Sequence, residues 1–431
     1  MSLIALLAVG HSSLTVKGCL TKMSTKWLFN DELLSTEFVN NPYPTFSHLR
    51  ENYPVHWNAT ASLWMVTRYD DFVDITRNDE GFSSAIAKND KSTEGTGSTT
   101  SPESRNEVIR SFQGSSIAQQ EGSTHQEMRR VINHHYTPTA SEHHRSQIRI
   151  KVENLLDILG TKPVVEIKEE LATILEMQVS ALTVGIPEQD IDDLKEIVSD
   201  LSALSGTSED KVDKYRRGIL KFGEYLKPLL ESKLNGPGND LLTTLAKAKH
   251  HDLYSEDEVL SNAAIALTAG RGTSVNLICN GLLAFARHPK QWESLVSDPT
   301  EMAIKSAVEE CLRYDSPQQS LDRIASRDIE LRGQKIRSGE KVRCYIGSAN
   351  RDHMKFENAD NFEINRNPNQ HVAFGWGIHH CLGSSVSQVE FQEIISALLS
   401  RNLKPSLISP TVEYEPTTNL RSLTRLDMQL G

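Results

Sequence analysis

Hydrophobic and polar positions change their spacing along the chain, and the changes divide it into helical and strand-like stretches. Between about 107 and 320 the apolar residues recur mostly at helical spacing, with a break at Asn235-Gly236-Pro237-Gly238. Residues 256–287 form a long apolar stretch, which predicts a buried central helix. Helical spacing is also present at 304–315 and 382–401. The pattern predicts a large, mainly helical domain.

A smaller part of the chain has the pattern of β-strands. Short strand-like runs occur at 55–57 and 63–67, and residues 328–346 form further short runs between glycines. Residues 87–106 are rich in serine, threonine, glycine and charge, which is typical of a long mobile loop. Residues 348–380 lack strong periodicity and predict an irregular polar meander. We therefore expect a mainly α (α+β) fold with a small β-rich part.

Composition and charge narrow the class of protein. The chain has 431 residues, is 38% apolar and carries a formal net charge of -11, which argues against nucleic acid as its main partner. The apolar run at 4–10 is far too short to span a bilayer, so no membrane partner is expected. We expect residues 1–22 to be a disordered extension or a start-site artefact, and residues 23–431 to form a single domain.

The cysteine usage indicates a reducing compartment. The five cysteines are widely spread and odd in number, which does not fit a disulfide framework. A cytoplasmic location is expected.

One of these cysteines has an unusual neighbourhood. Cys381 lies in the run Phe374-Gly375-Trp376-Gly377-Ile378-His379-His380-Cys381-Leu382-Gly383, and no CxxC pair accompanies it. Glycines allow the backbone to approach a flat macrocycle, while amide N–H groups and the start of a helix stabilise a thiolate. A lone thiolate in such a loop suits the axial ligand of a haem iron. The alternative for the cysteine alone is a buried thiol in a glycine loop.

A second pattern is the pair Glu310 and Arg313, three residues apart on the predicted helix at 304–315. At this spacing the two side chains lie on one helix face and can pair. An isolated pair of this kind is more often a surface ion pair that contributes little to stability.

The middle of the long helix contains two glycines in the run Ala269-Gly270-Arg271-Gly272-Thr273-Ser274. Each glycine costs roughly 1 kcal/mol in a helix relative to alanine. Close approach of a ligand would offset this cost, and Thr273 would present its hydroxyl there. The alternative is an ordinary kink in which Thr273 bonds back to the preceding turn.

Several cations and histidines are candidates for holding carboxylates. His125 and Arg129 are four residues apart and share a helix face, and Arg323 and His371 lie further along the chain. Four adjacent His-His pairs invite comparison with a zinc site. However, adjacent residues do not share a helix face, and no acidic or cysteine partner has metal-site spacing.

Together these residues resemble the cytochrome P-450 superfamily of haem-thiolate enzymes in its soluble bacterial form, from about Asn41 to the C-terminus. The run from Phe374 to Gly383 matches the signature FGxGxHxCxG. The resemblance implies that Cys381 is the axial ligand of haem b (iron protoporphyrin IX) and that Glu310 and Arg313 form the structural ExxR pair. The residues that it implies to bind the cofactor are His125, Arg129, Arg323, His371, Phe374, Gly375, Cys381 and Gly383.

The resemblance also implies a triangular helical domain with haem between the long I helix and the cysteine loop. The implied activity is insertion of one oxygen atom from dioxygen into a small organic substrate, by hydroxylation or epoxidation. Ala266, Ala269 and Gly270 would line the substrate pocket. Electrons would come from a separate ferredoxin and ferredoxin reductase, since the chain has no room for a fused reductase, and a monomer is expected.

Two positions depart from the family pattern. Gly272 stands where most members have an acid that helps to relay protons, directly before the catalytic Thr273. Asn361 stands where many members have an arginine that pairs with the K-helix glutamate, and Arg366 is nearby. The glycine leaves open a member that uses peroxide, reduces nitric oxide or couples rings oxidatively. A non-catalytic haem sensor or carrier is a further alternative.

Replacing Cys381 with serine tests the assignment of the iron ligand. We expect the variant to lose the strongly red-shifted Soret band of the reduced carbon monoxide complex, because that band requires thiolate ligation. Absorption spectroscopy measures the change. Retention of the band in Cys381→Ser would refute the assignment.

Overall fold

The computed structural model describes residues 32–86, 109, 111–203 and 209–431. These described residues belong to one compact unit. The expected extension at 1–22 and the expected loop at 87–106 lie outside the described residues, so the proposed domain division stays a prediction.

Fourteen helices of the described chain are labelled α1 to α14 in chain order. They are α1 (Thr36–Asn40), α2 (Tyr43–Asn52), α3 (Tyr69–Arg77), α4 (Gly122–Ile132), α5 (Pro138–Leu159), α6 (Thr173–Val184), α7 (Ile191–Leu201), α8 (Glu209–Leu234), α9 (Leu241–His250), α10 (Glu256–Arg287), α11 (Pro289–Ser297), α12 (Glu301–Tyr314), α13 (Ile346–Ala349) and α14 (Ser384–Ser400). Shorter helical turns include Ile117–Gln119 and Gly377–His379. The predicted helices at 256–287, 304–315 and 382–401 are confirmed, with shifts of a few residues at their ends.

The strands form a small β-rich part, as predicted. They are β1 (Val55–Asn58), β2 (Leu63–Val66), β3 (Phe82–Ser83), β4 (Val165–Glu166), β5 (Ser320–Ala325), β6 (Ile329–Leu331), β7 (Gln334–Ile336), β8 (Lys341–Tyr345), β9 (Pro405–Leu407) and β10 (Asp427–Leu430). The largest sheet has the order β1-β2-β8-β5-β3, in which β2 and β8 are parallel and the other pairs antiparallel. Smaller sheets have the orders β4-β10-β9 and β6-β7.

Helix α10 connects two helical cores. It begins with a capping box, in which Ser255 and Glu258 each bond the other's backbone N–H, and it ends just before Pro289. Its first half packs into an apolar cluster with α7, α8 and α9, and its second half packs into another with α5, α12 and α14. Residues 268–274 lie between the two clusters and belong to neither. This middle section is free to line a cavity.

Glu310 and Arg313 on α12 are fully buried, so they are not the surface pair that an isolated motif suggests. The guanidinium donates two hydrogen bonds to the carboxylate, both at 2.8 Å. It also donates to the carbonyl groups of Asn350, Ala359 and Asn361 at 2.7–2.9 Å. The pair therefore holds the irregular segment that precedes the cysteine loop.

Arg366 pairs with Glu310, which is the role that the family pattern gives to an arginine at the position of Asn361. Its Nε donates to both oxygens of Glu310 at 3.2 and 3.3 Å, and its side chain is 6% exposed. The amide of Asn361 turns instead toward Glu363. The cation that balances Glu310 thus comes from five residues further along the chain.

None of the helices in the described ranges is both long enough and apolar enough to cross a membrane.

Replacing Arg366 with methionine is expected to lower the free energy of unfolding by about 2 kcal/mol, because the buried Glu310 keeps Arg313 but loses its second charged hydrogen-bond donor. Arg425 offers a control, since it pairs with Asp427 but is 66% exposed. Arg425→Met should have a much smaller effect, because this ion pair is exposed to solvent. Urea unfolding of the two variants measures the difference, and equal costs would contradict a central role for Arg366.

Candidate functional site

Cys381 lies between the helical turn Gly377–His379 and the first residue of α14. Its own N–H donates to the carbonyl of Phe374 at 2.9 Å, which closes the loop. The backbone N–H groups of Gly383 and Ser384 hydrogen-bond the sulfur, and together with Arg129 they oppose the effect of burial, which raises the pKa of the thiol. The side chain is exposed toward a cavity of about 620 Å³. Its sulfur is therefore presented to a ligand with amide donors already in place.

The arginines and histidines on the wall of the same cavity include His125, Arg129, Arg323 and His379. Arg129 donates to the carbonyls of Ile378 and His380 at 2.7 and 2.8 Å, and so ties α4 to the cysteine loop. The expected helix face of His125 and Arg129 is present on α4.

The histidine rings of this group contact each other. The ring centroids of His125 and His379 are 4.3 Å apart, and the Nε2 of His379 is 2.8 Å from the hydroxyl of Ser84. Burial and the neighbouring cations lower the pKa of His379 to about 3, and burial and Arg129 lower the pKa of His125. The Nδ1 of His125 is buried and has no partner among the described residues. Arg129 and Arg323 supply positive charge here, and the unpartnered Nδ1 of His125 can donate a hydrogen bond, so this wall suits an anionic ligand.

These residues fit a haem. A sulfur with amide donors can ligate the iron, and two arginines with two histidines can receive its two carboxylates. The orphaned Nδ1 of His125 supports this fit, because a buried polar atom without a partner is costly.

Three of the predicted cofactor residues do not reach the cavity wall. His371 has to be corrected, since its Nε2 bonds Glu309 at 2.7 Å and its Nδ1 accepts the N–H of Ala373. Phe374 packs against the core behind the loop, and Gly375 supplies a left-handed turn with φ of 72°. These residues shape the loop, whereas Cys381 and Gly383 line the cavity.

Sequence reasoning passed over His379, although the signal was present. The signature FGxGxHxCxG contains a histidine two positions before the cysteine, and that position is His379. His371 lies eight residues further upstream, before the turn at Gly375 and Gly377. The turn directs the later histidine into the cavity.

The middle of α10 forms another wall. Ala266, Ala269 and Gly270 line the cavity, and Ile265 and Ser274 extend the same surface. The role of the first three in binding substrate stays a prediction. A small apolar surface of this kind leaves room for an organic molecule beside the cysteine.

Gly272 and Thr273 are not among the residues that line this cavity. The Thr273 hydroxyl donates to the carbonyl of Ala269 at 2.9 Å, which is the alternative left open by the sequence. A Cβ at position 272 would be 3.1 Å from a methyl group of Leu420, so a larger residue requires Leu420 to move. The space next to Gly272 is thus occupied by a leucine from the C-terminal segment. The catalytic role expected for Thr273, with Gly272 at the position of the acid, stays a prediction.

Two buried carboxylates on the wall were also missed by sequence reasoning. Glu176 on α6 and Glu390 on α14 are 2% and 1% exposed, and both line the cavity. Their helices are far apart in sequence, so no local spacing indicates that both reach the cavity wall.

Comparison with known proteins agrees with this geometry. Residues 209–407 match the family model described as cytochrome P450. The biotin biosynthesis cytochrome P450 of Bacillus subtilis (strain 168) is 33% identical over 396 residues, covering 91% of this chain and 97% of the relative. The vitamin D(3) 25-hydroxylase of Pseudonocardia autotrophica is 30% identical over 411 residues, covering 93% and 96%.

The fold is similar to that of solved structures in the same family. One is P450BioI in complex with hexadec-9Z-enoic acid ligated acyl carrier protein, with a TM-score of 0.81 and 31% identity, covering 92% of this chain and 100% of that chain. Another is CYP109E1 from Bacillus megaterium in complex with testosterone, with a TM-score of 0.78 and 28% identity, covering 92% and 99%.

Replacing His379 with asparagine separates its role from that of His371. We expect the rate of haem loss to rise about tenfold, because a hydrogen bond to a charged group contributes roughly 1.5–3 kcal/mol. The His371→Asn variant should lose haem at nearly the original rate. Transfer of haem to excess apomyoglobin measures both rates. Faster loss from His371→Asn than from His379→Asn would contradict the assignment.

Proposed function

This chain belongs to the cytochrome P450 family, as its 33% identity to a relative matched over almost its whole length shows, and on this basis we propose how its residues carry out the reaction. It is a haem-thiolate oxidoreductase that inserts one oxygen atom from dioxygen into a small organic substrate. The single observation that carries the assignment of residues is that Cys381, two arginines, two histidines and an apolar face of α10 share one cavity.

Cys381 ligates the iron in this proposal, and the amides of Gly383 and Ser384 stabilise its thiolate. When bound, the haem supplies the iron at which dioxygen is activated, and the thiolate favours cleavage of the O–O bond. His125, Arg129, Arg323 and His379 hold the two carboxylates of the macrocycle. The charges of the two arginines offset the desolvation of those carboxylates inside the protein, and the two neutral histidines contribute hydrogen bonds.

The substrate proposed here is a largely aliphatic molecule of the size of a fatty acid. Ala266, Ala269 and Ile265 supply an apolar surface on α10, and Ile86 and Ile117 line the same cavity. A similar structure contains hexadec-9Z-enoic acid bound to acyl carrier protein, and another contains testosterone. Burial of the apolar substrate provides most of its binding free energy, and the small residues let it lie close to the reacting oxygen.

Electrons are proposed to come from a separate ferredoxin and its reductase, and the enzyme is proposed to act as a monomer. Gly377 and His380 of the cysteine loop are exposed, and Arg77 stacks over Trp376 at 5.2 Å beside them. A cation at the outer edge of the loop suits an acidic redox protein. The free cysteines Cys279, Cys311 and Cys344 support a reducing, cytoplasmic location.

The substrate class is tested by titrating the purified haem enzyme with hexadec-9Z-enoic acid while recording the Soret band. We expect the Soret band to shift, because an aliphatic chain that fills the cavity beside Cys381 would change the surroundings of a haem held there. With ferredoxin, its reductase and ¹⁸O-labelled dioxygen, the product should contain one labelled oxygen atom per molecule. Absence of both the shift and the labelled product would exclude this substrate class.

The same fatty acid titration can be repeated on a variant that has a larger residue in the apolar wall of the cavity. Ala269→Leu should weaken binding of the fatty acid about tenfold, since the added side chain projects into the cavity. The control is Asp257→Leu at an exposed position of the same helix. Equal affinity in the two variants would contradict placement of the substrate against α10.

A further inference from the structure

A short segment near the end of the chain, the C-terminal loop (residues 417–421), forms part of the cavity wall. Asn419 lines the cavity, as does Gln318 beside it. The next residue, Leu420, packs against α10, because a Cβ at position 272 would lie 3.1 Å from its Cδ1 atom. The loop lies outside the regular helices and strands, so contacts with other segments hold it in place.

The backbone of the C-terminal loop is bonded to two elements that line the cavity. The N–H of Arg421 donates to the carbonyl of Pro317, and the N–H of Gln319 donates to the carbonyl of Asn419, both at 2.8 Å. From α10, the side-chain amide of Asn280 donates to the carbonyl of Arg421 at 2.9 Å. These bonds attach the loop to the segment that precedes β5 and to the central helix.

The side chain of Arg421 joins the same loop to the other end of the sequence. It is 6% exposed. Its Nε donates to Asp315 at 3.1 Å, and its two terminal nitrogens donate to the carbonyls of Val39 at 2.5 Å and Asn40 at 2.8 Å. Its guanidinium also lies 3.4 Å from the centre of the Tyr414 ring. Each nitrogen of the guanidinium therefore has an acceptor, and two of the acceptors belong to α1.

Helix α1 is a firm anchor although it is short. Ser35 caps it by accepting the N–H of Phe38 at 3.3 Å. Phe38 is buried, and its ring packs edge-on against that of Phe46 on α2, with centroids 5.6 Å apart. A helix of five residues is not stable alone, so these contacts and the bonds from Arg421 hold it together. The N-terminal helix and the C-terminal loop thus stabilise each other.

The position of this loop matters because the cavity wall places a bound molecule. A displacement of about 1 Å in a reacting group can cost about a hundredfold in rate. Leu420 limits the space beside the middle of α10, and Asn419 lines the cavity one residue earlier. Hydrogen bonds from a charged donor are stronger than neutral ones, and the planar fork of arginine reaches several acceptors at once.

We propose that Arg421 is a positioning residue. By fastening the C-terminal loop to α1, it fixes Asn419 and Leu420 in the cavity wall and so determines which carbon of an aliphatic substrate receives the oxygen atom. Arg421 acts through these two residues and does not itself line the cavity. The inference rests on the monooxygenase function proposed above, and it assigns a residue that controls the site of oxidation.

The first experiment measures amide hydrogen exchange in the C-terminal loop of the haem enzyme by mass spectrometry. Arg421→Lys keeps a cation but loses the fork, so exchange in peptides covering 417–421 should become about tenfold faster. The control is Arg50→Lys. Arg50 is 2% exposed and donates to the carbonyl and hydroxyl of Ser348 at 3.1 and 2.9 Å, away from the cavity. Unchanged exchange of the loop in Arg421→Lys would overturn the proposal.

The second experiment compares the positions of the hydroxyl group in the products from hexadec-9Z-enoic acid. The ratio of the two main products should change about tenfold in Arg421→Lys, the lower end of the effect of one methylene on specificity. Leu420→Ala should change the ratio as well, but with nearly wild-type exchange, because the backbone bonds of the loop remain. Arg50→Lys should keep the wild-type ratio. A wild-type ratio in Arg421→Lys would overturn the proposal.

Failure of the proposed function gives a different result. If the wild-type enzyme forms no product from the fatty acid, the substrate class proposed above is wrong, and 4-phenylimidazole then serves as the probe. Its imidazole ligates the iron, and its ring lies in the cavity. Arg421→Lys should weaken its binding about fourfold in a Soret titration, as for loss of one buried methylene contact. Equal affinity in the two proteins would overturn the positioning role.

A second variant keeps the test available if Arg421→Lys does not fold. Asp315→Asn removes the carboxylate charge that pairs with Arg421 and keeps the shape of the side chain. The same changes in exchange and product ratio are expected, and wild-type values in Asp315→Asn would overturn the proposal. The reduced carbon monoxide spectrum verifies thiolate ligation in each variant, so a damaged haem site is distinguished from a displaced loop.

Discussion

A carboxylate without access to solvent, that of Glu310, organises the part of the molecule that presents the cysteine. Removing such a charge from water is costly, and the cost is offset because Arg313 and Arg366 both donate to it. The remaining donors of Arg313 are used by carbonyl groups of the irregular segment at 350–361. The segment lacks regular secondary structure over most of its length, so these bonds replace the ladder that a sheet would provide. The cysteine loop follows directly and is positioned by that frame.

The polar groups around the cavity beside the loop are not fully paired, unlike those around Glu310. The charges around Glu310 satisfy one another, whereas His125 retains a buried nitrogen without a partner in the described chain, and the pKa of His379 is lowered to about 3 by burial among cations. A closed network stabilises the fold by itself, whereas an incomplete one stabilises the protein when an anionic ligand joins it. The ion pairs that support the fold have all their charges paired, whereas the residues assigned to the cofactor include groups without a partner among the residues described. This difference distinguishes the two sets.

Helix α10 joins the cofactor side to the substrate side because its middle section belongs to neither apolar cluster. Two glycines in that section admit side chains from other elements, Glu176 at Gly270 and Leu420 at Gly272. One glycine thus brings an acid close to the cavity, and the other makes room for an apolar residue. The two glycines have different consequences although the sequence presents them as similar interruptions of one helix.

The sequence by itself determined the long apolar helix, the other main helices, the strand-rich segment and the position of the cysteine loop, because each depends on local periodicity or on a contiguous motif. It also indicated that His125 and Arg129 lie on one helix face, because residues four apart in a helix are neighbours on its surface. Only the tertiary structure decided that Arg366 balances Glu310, that His379 rather than His371 reaches the cavity, and that Glu176 and Glu390 both line it. These outcomes depend on contacts between residues distant in the chain and on the direction of a turn, and neither is recorded in the spacing of residues.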